Sequence, residues 1–375
     1  MKITCIRIYQ PRQLNRTFNQ SDRIVTLETD SGLTGIGEGG ARDTLEQCAA
    51  MLIGEDPERI QHLWQMMYRG FFYPAGREKL HALGALDLAL WDLKGKRLGA
   101  PVYELLGGLT RDYVECYSTG FPWQGSLAET AQACIAAGFR AFRTSVGDAK
   151  TGIFEARRQV EATAAACRTL REALGERGEW SIDFHTRLDL ADAVRLCGLI
   201  EPFNPLYVED PLRSENPGVL AALRAQVKVP IAAGEQFGDR WDINELIEKH
   251  LIDYTRVTLP NVGGITEMLK IAALCETHYI GMIPHFTGPI ALAALVHVLA
   301  ALPVPVLMEI AGAGPKQPSH LPLGCTFRDG KLWPSPRPGL GVEFDPSGAE
   351  LIGEVSEHSA PIPMYRRPDG SFTNW

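Results

Sequence analysis

Three short apolar runs near the middle of the chain each end on a carboxylate. Their spacing restricts the fold more than any other feature. The runs read WSIDFH, PLYVED and VPIAAGEQ, and the acids are Asp183, Glu209 and Glu235. The steps from 183 to 209 and from 209 to 235 are both 26 residues. A strand, a helix and two loops of a β/α unit fill about that length. Successive parallel strands, about 5 Å apart, would then carry one acid each at the same C-terminal end. Three such oxygens can converge on one ion, and an all-carboxylate set suits a hard cation, Mg²⁺ ahead of Ca²⁺ or Zn²⁺. One acid at a strand end says little; three in equal register point to a metal site.

The rest of the chain fits that frame. From about Val114 strand and helix patterns alternate strictly. Strands are expected at VECYSTG, FRAFRTSV, WSIDFH, PLYVEDP, VPIAAGEQ, YTRVTL, YIGMIPH and PVLMEI. Amphipathic segments such as Glu129–Ala137, Phe154–Leu174, Leu190–Ile200 and Gly264–Thr277 separate them. This alternation implies parallel strands, and eight of them imply a closed (β/α)8-type barrel. Residues 1–40 read instead as an antiparallel sheet with a hairpin at Asp30-Ser31-Gly32. Helical periodicity follows at Thr44–Ile53, Pro57–Tyr68 and Lys79–Leu98. The expected organisation is an α+β unit over residues 1–112, a barrel over 113–320, and an irregular Pro- and Gly-rich return over 321–375. The 375 residues suffice for both units.

Several function classes drop out. The net charge is -8 and no basic run occurs, which argues against nucleic acid. No apolar run approaches the ~20 residues of a membrane span. The N-terminal MKITCIRIYQP alternates like a strand and lacks a signal-peptide core. Eight cysteines without a C-x-x-C pair read as reduced core residues of a cytoplasmic protein.

Barrel active sites lie at the C-terminal ends of the strands. His185 follows Asp183 by two residues, which on a strand places both on one face. His285 closes the seventh strand and Glu309 the eighth. Two histidines beside a metal form an acid and base pair near neutral pH. Glu309 suits a hydrogen bond to a substrate carboxylate or an enediolate. Arg143 on the second strand and Arg187 after His185 suit an anionic substrate. These groups together fit proton abstraction next to a carboxylate, with the ion offsetting the negative charge that develops.

The residues that complete this picture carry a resemblance. LETDSGLTGIGEGG, ALDLALWDLKGKRLGAPVYELLGG, GGITEMLKIA and RPGLGVEFD, with the three acids, resemble the enolase superfamily, mandelate racemase branch. The resemblance implies a modified (β/α)8 barrel, (β/α)7β, under an α+β capping domain. It implies Mg²⁺ held at Asp183, Glu209 and Glu235, and a homo-oligomer. Within the branch, DFHTR and IPHFTGPIALAA are similar to galactonate dehydratases. FRAFRTSVG, VEDPLRSENP and LIDYTRVT are similar to mannonate dehydratases. Both kinds convert a sugar acid to a 2-keto-3-deoxy sugar acid through a metal-stabilised enediolate. The resemblance implies His285 as base at C2, His185 as acid for the 3-hydroxyl, and specificity from the capping loops Arg12–Arg23 and Phe71–Arg77. The expected activity is therefore an aldonate dehydratase, a carbon–oxygen lyase acting on a galactonate-, mannonate- or gluconate-like substrate.

Three positions depart from the branch. The K-x-K of many racemases is R-T-S at Arg143 to Ser145, which argues against a lysine-based epimerase. The sixth-strand Asp that often orients the seventh-strand His is Thr258. The Tyr that follows the second-strand Arg in mannonate dehydratases has no counterpart. Two rival readings follow: another enolate reaction (epimerisation, racemisation or cycloisomerisation), or an inactive metal-binding relative.

Overall fold

β1 (Ile3–Pro11), β2 (Ile24–Thr29) and β3 (Thr34–Glu38) form the expected antiparallel sheet, with β1 in its interior. In this computed structural model the described residues are 1–12, 23–74, 76–147, 152–315, 318–322, 324–360 and 364–373. Three helices follow the sheet: α1 (Arg42–Leu52), α2 (Ile60–Arg69) and α3 (Arg77–Leu98). Helix α3 is buried almost all round from Leu80 to Gly95, including Asp87 and Asp92. Such a helix must be sandwiched, and α3 indeed lies between the sheet and the barrel. It ends at Gly99, whose φ of 67° supplies the left-handed cap. A short α4 (Val102–Leu105) leads away from it.

The barrel strands are β4 (Val114–Thr119), β5 (Ala141–Ser145), β6 (Glu179–Asp183), β7 (Val208–Glu209), β8 (Ile231–Ala233), β9 (Tyr254–Thr255), β10 (Gly281–Met282) and β11 (Met308–Ala311). Between them run α5 (Leu127–Ala136), α6 (Ala156–Leu174), α7 (Leu190–Ile200), α8 (Val219–Arg224), α9 (Arg240–Glu248), α10 (Ile265–Thr277) and α11 (Pro289–Ala301). This is the (β/α)7β order. Parallel pairing runs unbroken from β4 to β10, and β11 pairs with β4. The ring is closed by hydrogen bonds from Met282 N to the Pro305 carbonyl and from Leu307 N to the Met282 carbonyl. These join β10 to the chain just ahead of β11. All eight cysteines are buried and unpaired, and no helix among the described residues is long and apolar enough to cross a membrane.

The return segment is more regular than its composition suggests. β12 (Cys325–Arg328) and β13 (Lys331–Pro334) form a hairpin that lies antiparallel against the start of β4. Its turn is Asp329-Gly330, with φ of 49° and 65°. Two positive φ values are what a two-residue type I′ turn needs, and Asp-Gly is a signature of that turn. β14 (Ala349–Val355) then joins the first sheet beside β1.

Acids of the N-terminal unit fasten it over the barrel mouth. Glu38 Oε2 accepts from the backbone N–H groups of Ile290 and Ala291, in the first turn of α11. Asp87 accepts from Thr266 N at 3.0 Å and Thr266 Oγ1 at 2.5 Å, in the first turn of α10. Asp92 accepts from Ile36 N and Leu340 N and pairs with Lys96. Barrel helices begin at the mouth, where their first N–H groups lack partners and favour a negative charge. Each helix start keeps a glycine beside its acid. A Cβ on Gly264 would stand 2.4 Å from Asp87 Oδ2, and one on Gly288 would stand 2.0 Å from Glu38 Oε1. The GGIT and TGPI motifs are thus places where a carboxylate passes through the space of a side chain.

Asp87→Ala is expected to cost about 2–4 kcal/mol, since it strips a buried helix start of its acceptor. Urea unfolding checks this, and a loss below about 0.5 kcal/mol would remove Asp87 from the tethering role.

Candidate active site

Asp183 is the last residue of β6 and Glu209 the last of β7, and the two are register partners. The third acid breaks the pattern. Glu209 pairs with Ala232, so Glu235 stands three residues further on, past Gly234 (φ 140°). Equal steps in sequence therefore give equal register only once. Strands in a closed barrel are staggered, and the turn after β8 carries Glu235 back to its neighbours. A further acid is present at Asp210, held left-handed at φ 38°. One oxygen each from Glu209, Asp210 and Glu235 lie within 4.8 Å of one another. Glu309, second residue of β11, is fully buried.

Two guanidinium groups share these acids. Arg256 has no solvent exposure. Its Nη2 donates to Glu209 Oε1 at 2.6 Å, Glu309 Oε2 at 2.7 Å and Glu235 Oε2 at 3.4 Å. Its Nη1 donates to the Tyr117 hydroxyl and the Ile283 carbonyl. Arg143 Nη1 donates to Asp183 Oδ2 and Glu209 Oε1, both at 2.9 Å, and its Nε donates to Thr119 Oγ1 at 2.7 Å. Arg143 Nη2 lies 3.6 Å from Glu309 Oε1.

Five carboxylates thus face two guanidiniums, and the imbalance governs their protonation. Burial, with the Glu209 charge next to it, raises Asp183 to about 8. Burial raises Glu235 to about 7 against the pull of Arg256. Asp210 is raised by burial and by Glu235 and Glu209. Glu309 goes the other way: burial pushes it up, but Arg256 and Arg143 together outweigh that and bring it to about 2. Among the described residues, three buried oxygens of these acids, Glu209 Oε2, Asp210 Oδ2 and Glu309 Oε1, have no hydrogen-bond partner. Hard, unpaired oxygens on crowded carboxylates fit a divalent cation.

The histidines are placed less uniformly. His285 follows β10 by three residues, and its Nε2 lies 3.7 Å from Glu235 Oε2. Its ring stacks on Phe286 at 4.2 Å. Burial lowers its pKa. Thr258 is not its partner, since the buried Thr258 Oγ1 makes no hydrogen bond. His185 does not lie on the strand face of Asp183, because β6 stops at Asp183 and His185 and Thr186 are both left-handed, at φ 48° and 56°. The period of two ends with the strand. His185 is exposed at the mouth, its backbone N–H donates to Asp183 Oδ1 at 2.6 Å, and partial burial of the ring together with the Arg187 charge lowers its pKa. Arg187 is exposed and donates to the Val146 carbonyl at 3.0 Å, away from the acids. Residues 13–22 of the Arg12–Arg23 loop, and Ala75 of the Phe71–Arg77 loop, lie outside the described residues.

Two family descriptions match consecutive parts of the chain. Residues 2–107 match the mandelate racemase / muconate lactonizing enzyme N-terminal domain, and residues 126–348 match the enolase C-terminal domain-like family. The chain belongs to the enolase superfamily. Among members of that superfamily, D-galactonate dehydratase of Pectobacterium atrosepticum is 35% identical over the full length of both chains. The D-galactonate dehydratase of Ralstonia nicotianae is 36% identical, again over both full lengths. Among solved structures, a putative galactarate dehydratase of Agrobacterium radiobacter, with Na and L-malate bound, is 31% identical with a TM-score of 0.82 over 99% of each chain. A putative dehydratase of Salmonella enterica serovar Typhimurium is 26% identical with a TM-score of 0.85, over 94% of this chain and 99% of that one. This superfamily member is an enzyme, a carbon–oxygen lyase of the hydro-lyase type.

Arg256, Asp210 and Tyr117 were not singled out from the sequence. The signal for Arg256 was an arginine inside the apolar run YTRVTL. A strand buried on both faces cannot hold a guanidinium without carboxylate partners. Asp210 stands openly in PLYVEDP, but nothing local separates a ligand from its neighbour.

In the presence of a chelator, this superfamily member should lose stability as pH rises. The folded values of Asp183 and Glu235, about 8 and about 7, lie above the ordinary carboxylate values. The folded protein then holds protons that the unfolded chain releases, so this contribution is full below about pH 4 and lost on rising through 7 to 8. Thermal unfolding in EDTA should give a lower Tm at pH 8.5 than at pH 6, with a smaller drop in Asp183→Asn. A Tm that holds or rises would contradict the assignment.

Proposed function

We propose that the protein dehydrates a sugar acid of the aldonate class, galactonate-, mannonate- or gluconate-like, to the 2-keto-3-deoxy acid. The observation that carries this reading is the carboxylate cluster at the barrel mouth, with His285 Nε2 at 3.7 Å from Glu235 Oε2. Asp183, Glu209 and Glu235 would hold Mg²⁺, with Asp210 adjacent. When bound, Mg²⁺ supplies positive charge that offsets the charge developing on the substrate carboxylate as the α-proton leaves. Arg143 and Arg187 are the cations for the anionic substrate. Glu309, kept ionised by Arg256 and Arg143, accepts a hydrogen bond from it.

His285 takes the proton from C2. Burial keeps its imidazole neutral near pH 7, the form that accepts a proton. His185 gives a proton to the 3-hydroxyl, which leaves as water. Its lowered pKa makes its protonated form scarcer but a stronger acid. The enol that remains takes a proton at C3, gives up its C2 hydroxyl proton and becomes the 2-ketone. The eight unpaired cysteines support a reducing, cytoplasmic setting, and homo-oligomerisation is part of the same reading.

A panel of sugar acids assayed for 2-keto-3-deoxy products tests the activity; no product from any aldonate would sink it. The roles of the histidines divide in D₂O. His285→Asn should abolish both dehydration and exchange of the C2 proton. His185→Asn should lower dehydration by about 10²–10⁴-fold while leaving C2 exchange measurable by proton NMR. Exchange retained in His285→Asn would move the base elsewhere.

A further inference from the structure

Arg143 and Arg256 both neutralise the acid cluster, but they are held differently. Arg256 is completely enclosed and anchored on its free side by the Tyr117 hydroxyl and the Ile283 carbonyl. Arg143 keeps 13% of its side chain exposed, and among the described residues its guanidinium makes one hydrogen bond outside the acids, to Thr119 Oγ1. Its Nη1 sits 2.9 Å from Asp183 Oδ2 and 2.9 Å from Glu209 Oε1, bridging two of the carboxylates expected to hold the metal.

A guanidinium and a divalent cation that draw on the same two carboxylates at close range repel one another. Arg256 cannot yield, because leaving its enclosure would strand a buried charge. Arg143 can, because its guanidinium already borders the open mouth. The geometry favours the exchange. Glu209 Oε2, on the same carboxylate as the oxygen that Arg143 holds, is buried without a hydrogen-bond partner, so an incoming ion finds an open ligand beside the bridge it displaces.

We propose that Arg143 is a tethered cation that holds Asp183 and Glu209 together until a divalent ion takes its place. The exchange frees its guanidinium at the mouth, where it meets the substrate carboxylate. Cation and sugar acid then bind in a set order, because the site for the anion is made by the cation. This rests on the reading that the cluster binds a divalent cation.

Two measurements test it without an activity assay. Mg²⁺ alone is titrated calorimetrically into wild type, Arg143→Met and Arg187→Met. The last removes a nearby charge that touches none of the acids. Arg143→Met should bind Mg²⁺ roughly tenfold or more tightly than wild type, within the usual range of coupling between two sites, and Arg187→Met should change far less. In wild type, modification of Arg143 by phenylglyoxal, located by peptide mass spectrometry, should quicken several-fold when Mg²⁺ is added. Unchanged or weaker Mg²⁺ affinity in Arg143→Met would overturn the exchange while leaving the metal reading intact. Equal tightening in both variants would reduce Arg143 to a distant charge and overturn it as well. No Mg²⁺ binding by any of the three proteins would remove the metal reading itself, and the exchange with it. Should Arg143→Met fail to fold, the wild-type modification rate decides alone, and protection of Arg143 by Mg²⁺ counts against the exchange.

Discussion

A fully buried guanidinium makes the rest of the site possible. Arg256 reaches Glu209, Glu235 and Glu309 with one nitrogen, from three different strand ends. Without it, carboxylates this close would repel one another and take up protons rather than stay ionised. With it, Glu309 remains an acceptor at about 2 while Asp183 and Glu235 are left at about 8 and about 7. Arg256 and Arg143 thus hold Glu309 ionised, while Asp183, Asp210 and Glu235 are raised by burial and by neighbouring carboxylates.

The same economy of charge holds the N-terminal unit in place. Glu38, Asp87 and Asp92 are buried, and buried acids need strong donors. The donors are mostly backbone N–H groups, from the first turn of α11 for Glu38, from the first turn of α10 for Asp87, and from Ile36 and Leu340 for Asp92. Helix starts gather at the mouth because each barrel helix follows the C-terminal end of a strand. The direction of the chain in the barrel therefore supplies both the cavity and the anchor points for its cover. The glycines of GGIT and TGPI let the carboxylates reach those points without a collision.

Much of this was legible in the chain as written. Strand and helix order follows from local periodicity, which depends on neighbouring residues alone. The acids at 183 and 209 could be placed at strand ends by the same reasoning; Glu235 and His285, expected to close their strands, fall two and three residues past them, and Glu309 falls inside its strand. The Asp329-Gly330 hairpin was equally local and could have been read, since Asp-Gly between alternating runs announces its turn. It was hidden only by the surrounding prolines and glycines.

What the amino-acid order could not settle were distances across the barrel. Local periodicity determined that eight strands and seven helices alternate, and which acids close the strands. Closure of the ring decided the stagger, and the stagger set Glu235 three residues off the register of Glu209 and brought Asp210 beside both. It also decided that an arginine of β9's extension would meet acids from β7 and β11, residues separated by tens of positions in sequence. The strand's early end at Asp183 put His185 into a left-handed turn rather than onto the strand face. Periodicity is a property of a segment; stagger and charge pairing belong to the closed ring, so only the folded molecule determines them.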